Sequence, residues 1–174
     1  MHSLYVKRRR KMQRTETLIK EMICYYSGDP KRIQHFIKVH SFAKTIGLLE
    51  KLEKRTLYIL ETAALVHDIG IKTCEEKYGD CNGKLQELEG PAAAKALLDE
   101  LGYEEDVIER VCFLVAHHHT YDKVDNMDYQ ILIEADFLVN MYEEKLEKDC
   151  IRSVFQKIFK TPSGRFLCRQ MFEL

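Results

Sequence analysis

Residues 63 to 72 read AALVHDIGIK. Ala63 to Val66 have the character of a buried helical stretch, and His67 and Asp68 end it just before Gly70. A carboxylate taken out of water is strongly disfavoured unless it is paired or coordinates a metal. The doublet therefore needs partners from elsewhere in the chain. The helix carrying it spans about Arg55 to Asp68 by its apolar spacing.

Helical signals continue on both sides. Residues 15–26 place Leu18, Ile19, Met22 and Ile23 on one face. SGDPKRI (27–33) is a stop followed by a start: Gly28 ends one helix, Asp29 caps the next, and Pro30 suits its first turn. That second helix runs to about Lys51. Residues 70–90 contain four glycines and many polar residues, so they read as a long loop with at most one short helical turn. Pro91 is expected to open the helix PAAAKALLDELG, which Gly102 ends. Further helices are expected from about Glu104 to His118, from an Asp128 cap to about Glu144, and over about 147–160 and 164–172. No segment alternates with period two. The expectation is an all-α fold, a single helical domain over 15–174.

Composition narrows the classes. A chain of 174 residues that is 45% hydrophobic can bury a real core. It has no apolar run long enough to span a bilayer, so no membrane partner is expected. The N-terminal stretch lacks the pattern of a secretory signal, so a cytoplasmic setting with reduced thiols is expected. Residues 1–14 carry +6, which leaves −7 on the rest, and they read as a basic, disordered tail. The acidic body has no basic cluster with interleaved aromatics, which disfavours a nucleic-acid partner. Among the six cysteines, Cys74 and Cys81 flank the polar stretch and could pair or bind a metal, although their spacing matches no common zinc pattern.

The ionisable residues carry the functional argument. In DYQILIEADFLVNMY (128–142), apolar residues surround Asp136 on almost every side, so its helix is a buried one. Glu134 lies about 200° around that helix and cannot easily share a partner with Asp136. Asp136 needs either a buried basic partner or a metal. His35 shares a helical face with Val39, Phe42 and Ala43, while His40 is turned away toward the edge of that face. The block His117, His118, His119 closes another helix whose face carries Val111, Leu114 and Val115. Four helices thus bring imidazole or carboxylate to an apolar face. That donor chemistry suits a divalent transition metal such as Mn, Fe, Ni, Co or Zn, and one cation would satisfy both Asp68 and Asp136.

HFIKV (35–39), LVHDIG (65–70) and EADFLVN (134–140) resemble, in order, the motifs of the HD-domain superfamily of metal-dependent phosphohydrolases, in its small single-domain bacterial form. The intervals, 32 residues from His35 to His67 and 68 from Asp68 to Asp136, suit that pattern. The resemblance implies an HD-domain helical bundle that holds one or two divalent ions on His35, His67, Asp68 and Asp136. It implies a metal-activated water that cleaves a phosphate ester or anhydride of a nucleotide-type small molecule, with Asp68 catalytic as well as ligating. By the same resemblance Lys72 is a candidate contact to substrate phosphate. Glu89 in LEGP, where such proteins often have His, is a candidate for a second metal or for phosphate, as are His118 and His119 in AHHHTY. Ile71 stands where some members have a glutamate, so no general acid or base is identified. Two other readings of the same ligand set are a di-iron oxygenase and a non-catalytic nucleotide-binding signalling module.

Overall fold

Asp29 caps the helix that carries His35. Its side chain accepts the Arg32 N–H at 3.0 Å, with Pro30 in the first turn, so α2 begins where the sequence places it. The structure is a computed structural model that describes residues 15–174; the reading of 1–14 as a basic tail lies outside the described residues. The helices are α1 (15–25), α2 (Pro30–Leu49), α3 (Lys54–Val66), α4 (Gly70–Tyr78), α5 (Gly83–Glu100), α6 (Glu105–Val115), α7 (Met127–Glu143), α8 (Lys148–Ile158) and α9 (Pro162–Phe172). The protein is all-α, with no strand among the described residues. No described helix is long and apolar enough to cross a membrane.

The core forms around α3 and α7. Leu60, Ala63, Ala64, Leu65 and Val66 of α3 are almost completely buried, as are Ile131, Leu132, Ile133, Ala135 and Leu138 of α7. Removing each larger side chain from water contributes roughly 1.5–3 kcal/mol. α2 packs on both α3 and α7, α6 packs on α3, and α8 and α9 close the far side of α7. The apolar run before the doublet therefore serves as the central strut. Its C-terminus delivers His67 and Asp68 to the place where α2 and α7 meet it.

The stretch 70–90 departs from the sequence expectation. It folds into α4 and the first part of α5, separated by a short connection. α5 starts at Gly83 rather than Pro91, because the Asn82 side chain accepts the Leu85 N–H at 3.1 Å and caps it there. Pro91 lies inside the helix. An internal proline normally weakens a helix, and here tertiary packing overrides that. A Cβ on Gly70 would stand 2.8 Å from the Gly90 nitrogen and 2.9 Å from the Gln86 carbonyl oxygen, so α4 and α5 cross backbone to backbone. Gly90 in turn meets Val115 of α6. These packed glycines hold α5 as one helix through the proline.

Asp128 differs as well. Asn126 occupies the N-cap position of α7, and the Asp128 carboxylate instead receives Arg110 at 2.7 and 2.9 Å. Glu134, on the opposite side of α7 from the doublet, is fully buried and structural. It accepts the Lys160 and Thr161 N–H groups and the Thr161 hydroxyl at the start of α9. A side chain at Gly164 would collide with it.

The Gly70–Gly90 crossing gives a stability prediction. Gly70→Ala should destabilise by about 1–3 kcal/mol, as overpacking does, and so lower the melting temperature by several degrees. A thermal melt that matches wild type would show that the crossing has room to give.

Candidate metal centre

The doublet sits in a tight turn between α3 and α4 that α1 helps to hold. The Tyr26 hydroxyl donates to the Asp68 carbonyl oxygen at 2.7 Å, and the Tyr25 hydroxyl to that of Ile69 at 3.2 Å. Two turns of α2 bring His35 to the same point, and α7 brings Asp136. His35 Nε2 lies 3.3 Å from His67 Nε2, 3.4 Å from Asp68 Oδ2 and 3.2 Å from Asp136 Oδ1. His67 Nε2 is 3.4 Å from the same Asp68 oxygen and 3.5 Å from the same Asp136 oxygen.

Those separations fit a metal. Ligand atoms about 2.0–2.2 Å from one ion stand about 3.0–3.5 Å apart at angles between square and tetrahedral. Asp136 Oδ1 and His118 Nε2 are buried without a hydrogen-bond partner. Buried orphans of this kind call for an explanation, and a cation among them supplies one. The imidazole tautomers agree. A carbonyl can only accept, so Nδ1–H of His67 donates to Ala64 O at 3.0 Å and that of His118 to Val115 O at 2.8 Å. Each ring, when neutral, thus turns its Nε2 lone pair inward. His35 Nδ1 faces Glu143 Oε2 at 3.0 Å, and Lys38 holds the other Glu143 oxygen at 2.6 Å. Such outer partners fix the ring and raise its basicity as a ligand.

Asp68 also faces a second group. Its Oδ1 is 3.4 Å from His118 Nε2. One ligand atom each from Asp68, His118 and His119 falls within a mutual 4.8 Å, as it does for His35, His67 and Asp68. Asp68 is thus common to two clusters, an arrangement compatible with one or two divalent ions. α5 positions His119: Gln86 Oε1 is 2.7 Å from its Nε2, and Glu87 accepts its backbone N–H at 3.0 Å. A Cβ on Gly83 would stand 3.0 Å from the His119 ring.

Other candidates lie apart from this point. His117 donates to Phe113 O and stacks on the Phe113 ring, so the structure brings in the second and third members of the block. His40 pairs with Glu61 at 3.3 Å. The Glu89 carboxylate is not turned toward the clusters: it accepts from the Lys77 ammonium and, at 2.7 Å, from the Tyr78 hydroxyl. Lys72 is exposed, donates to Tyr25 O at 3.3 Å and lies over the Tyr25 ring. In the helical 70–90 stretch Lys72 is exposed, whereas Glu89 is mostly shielded by its pairing with Lys77 and Tyr78. All six cysteines are free. Burial, reinforced by Cys74, pushes the Cys81 thiol up to about 12, which makes it a poor thiolate ligand.

His35, Asp68, His119 and Asp136 line a cavity of about 440 Å³. Ile71, Glu75, Gly79, Asp80, Cys81 and Gln86 come from the 70–90 stretch and form part of its wall. Lys31 and Arg32, in the first turn of α2, supply its cations. Sequence reasoning did not single these two out, although Arg32 stands one turn before His35.

Electrostatics show how the site fares without metal. Burial pushes the His67 imidazole down, but Asp68 and Asp136 outweigh it and hold it well above its usual range. His35 is also raised against its burial, by Asp136 and Asp68. Burial pushes Asp68 up, yet His67 and His118 hold it well below the usual carboxylate range; Asp136 is lowered in the same way by His35 and His67. Protons on the imidazoles thus do the work of a cation. His119 differs: burial and the neighbouring His118 lower it to about 4, so it is neutral near pH 7.

No family model matches the chain, and no curated protein matches it. Its structure is similar to that of a predicted HD superfamily hydrolase from an uncultured Thermotogales bacterium. The TM-score is 0.63 at 24% identity, over 92% of this chain and 84% of that one. The chain therefore has the HD-domain fold.

The metal-free pH dependence follows with a definite sign. A raised imidazole contributes stability that is complete below its ordinary 6.5 and is lost as pH rises through the higher native value. A lowered carboxylate contributes stability that is present above its ordinary 3.8 and is lost as pH falls through the native value. Chelated protein should therefore melt highest in the mildly acidic range between these values, and its melting temperature should fall as pH rises above about 6.5. Added Mn should restore more of the loss at the higher pH, since metal no longer competes with protons. A flat profile for the chelated protein would contradict the charge assignment.

The outer partner of His35 gives a second expectation. Glu143→Gln should weaken metal binding by about 10–100-fold, read by titration with a chromophoric chelator. Unchanged affinity would mean that Glu143 only anchors Lys38.

Proposed function

We propose that the protein is a metal-dependent phosphohydrolase that cleaves a phosphate ester or anhydride of a small, nucleotide-type molecule. The convergence of His35, His67, Asp68 and Asp136 on one buried point, with Asp136 Oδ1 left unsatisfied, carries the reading. The similarity in fold to a predicted HD superfamily hydrolase supports it. Nucleotide substrates come from the resemblance of the motifs.

A divalent ion bound here would lower the pKa of a bound water and polarise a phosphoryl oxygen. His35, His67, Asp68 and Asp136 would hold it, with His118 and His119 completing a second position against Asp68. Asp68 has the most exposed side chain of the four, 22% against 0–10% for the others. It reaches the cavity and can accept a hydrogen bond from the attacking water, which orients one lone pair toward phosphorus. Neutral His119 can ligate or share a proton without adding charge. Arg32 and Lys31 line the cavity, and the Lys31 ammonium can meet phosphoryl oxygens.

Metal analysis of the purified protein, followed by phosphate release assays with Mn, Co, Ni and Mg, tests the proposal. Wild type should retain metal and release phosphate from at least one soluble phosphate ester. Asp136→Asn should lose most of both. It should also lose the stabilisation that metal gives the native state, which is about 2.7 kcal/mol at a hundredfold excess over Kd. If Asp136→Asn binds metal as tightly as wild type, the assigned ligand set is wrong. If metal-loaded wild type releases no phosphate from any ester, hydrolysis is wrong.

A further inference from the structure

We propose that the site takes a monoester carrying a single phosphate, and that an acidic rim around the cavity rejects molecules with a second phosphate group. This deepens the hydrolase reading and rests on it. The observation is the charge of the wall beyond the metal-ligating side chains. Asp29 and Glu75 stand on one side, Asp80 between α4 and α5, and Glu143 and Glu144 at the end of α7. Lys31 and Arg32 are the lysine and arginine among the described residues of that wall.

The arginine of the wall is committed. Arg32 lies 3.3 Å from Asp29 and is bonded to Glu75, so two carboxylates already surround its guanidinium. Lys38, just outside the wall, is held by Glu143 at 2.6 Å. With Lys38 included, three cations meet five carboxylates. Asp80 and Glu144 are exposed, and Asp80 accepts the neutral Cys81 N–H at 2.8 Å. Sites that hold polyphosphates present the opposite pattern, with Lys and Arg forks and backbone N–H groups aimed at the anion.

One phosphate can lie against the metal position, where the cation would offset its charge. A second phosphate on the same molecule would then sit in the rim. Where it stays within the cavity of about 440 Å³ it lies near those carboxylates, and at physiological salt a separation under about 8 Å is poorly screened. An uncharged polar alcohol group meets no such repulsion. Asn140, on α7 one turn after Asp136, and Gln86 offer it carboxamide hydrogen bonds. The rim thus sets selectivity by charge count.

Paired probes that share an alcohol test this on the full chain saturated with Mn: ribose monophosphate against ribose bisphosphate, and AMP against ADP. Calorimetry gives Kd, and phosphate release is measured in parallel. The bisphosphate and the diphosphate should each bind at least about tenfold more weakly than the monophosphate, with a gap that shrinks as salt rises. The double variant Asp80→Asn, Glu144→Gln, both at exposed positions, should narrow the gap by improving the doubly phosphorylated ligands. Equal or tighter binding of those ligands by wild type, or an unchanged gap in the variant, would overturn the proposal, and phosphate release would then still stand for hydrolysis. The expected order of binding without release from any probe would keep the rim's selectivity and refute hydrolysis. No binding of any probe would refute both.

Discussion

Two carboxylates on separate helices, Asp68 and Asp136, lie in the interior against the imidazoles of His35, His67 and His118. Like charges at low dielectric repel, and each alone would be expelled to water or protonated. The fold exists in a form that keeps them close because something positive sits among them: a proton on an imidazole or, in the reading favoured here, a divalent ion. Much of the surrounding structure can be understood as holding that arrangement. α3 is apolar up to His67, so the doublet cannot slide outward without exposing Leu65 and Val66. α7 is closed on nearly all sides around Asp136.

Around this point lies a ring of groups that hold the imidazoles and the doublet in place. Ala64 and Val115 carbonyls and the Glu143 carboxylate each occupy the Nδ1 side of one imidazole. Tyr25 and Tyr26 tie the turn of the doublet to α1. Gln86 and Glu87 tie His119 to α5, and α5 can come so near because Gly70 and Gly90 let two helices cross at backbone distance. Each tie joins elements far apart in the chain, so the geometry of the site and the packing of the bundle are one constraint.

Glu134 shows the same physics put to another use two residues away. It is as buried as Asp136, yet it needs no ion, because three donors from Lys160 and Thr161 and one from Gln130 satisfy it. A buried carboxylate is therefore not a metal ligand in itself. The distinction lies in whether neutral hydrogen-bond donors or inward lone pairs surround it.

The sequence by itself determined the helical class, the start of α2 at Asp29–Pro30 and the inward placement of His35, His67 and Asp136. These depend on local signals: periodicity, a cap, and an ionisable residue within an apolar face. It favoured His118 and His119 over His117, as the structure places them, because one residue of helical rotation separates core from edge. It misjudged 70–90, where glycines and a proline normally break helices, because only the close approach of α4, α5 and α6 makes those glycines assets. Glu89 and Lys72 lie on that stretch, where Glu89 pairs with Lys77 and Tyr78 and Lys72 lies over the Tyr25 ring. The placements of Tyr26, Glu143, Arg32 and the carboxylates lining the cavity were decided by tertiary structure alone. Each depends on which side chain of another helix stands opposite, and no local periodicity encodes that.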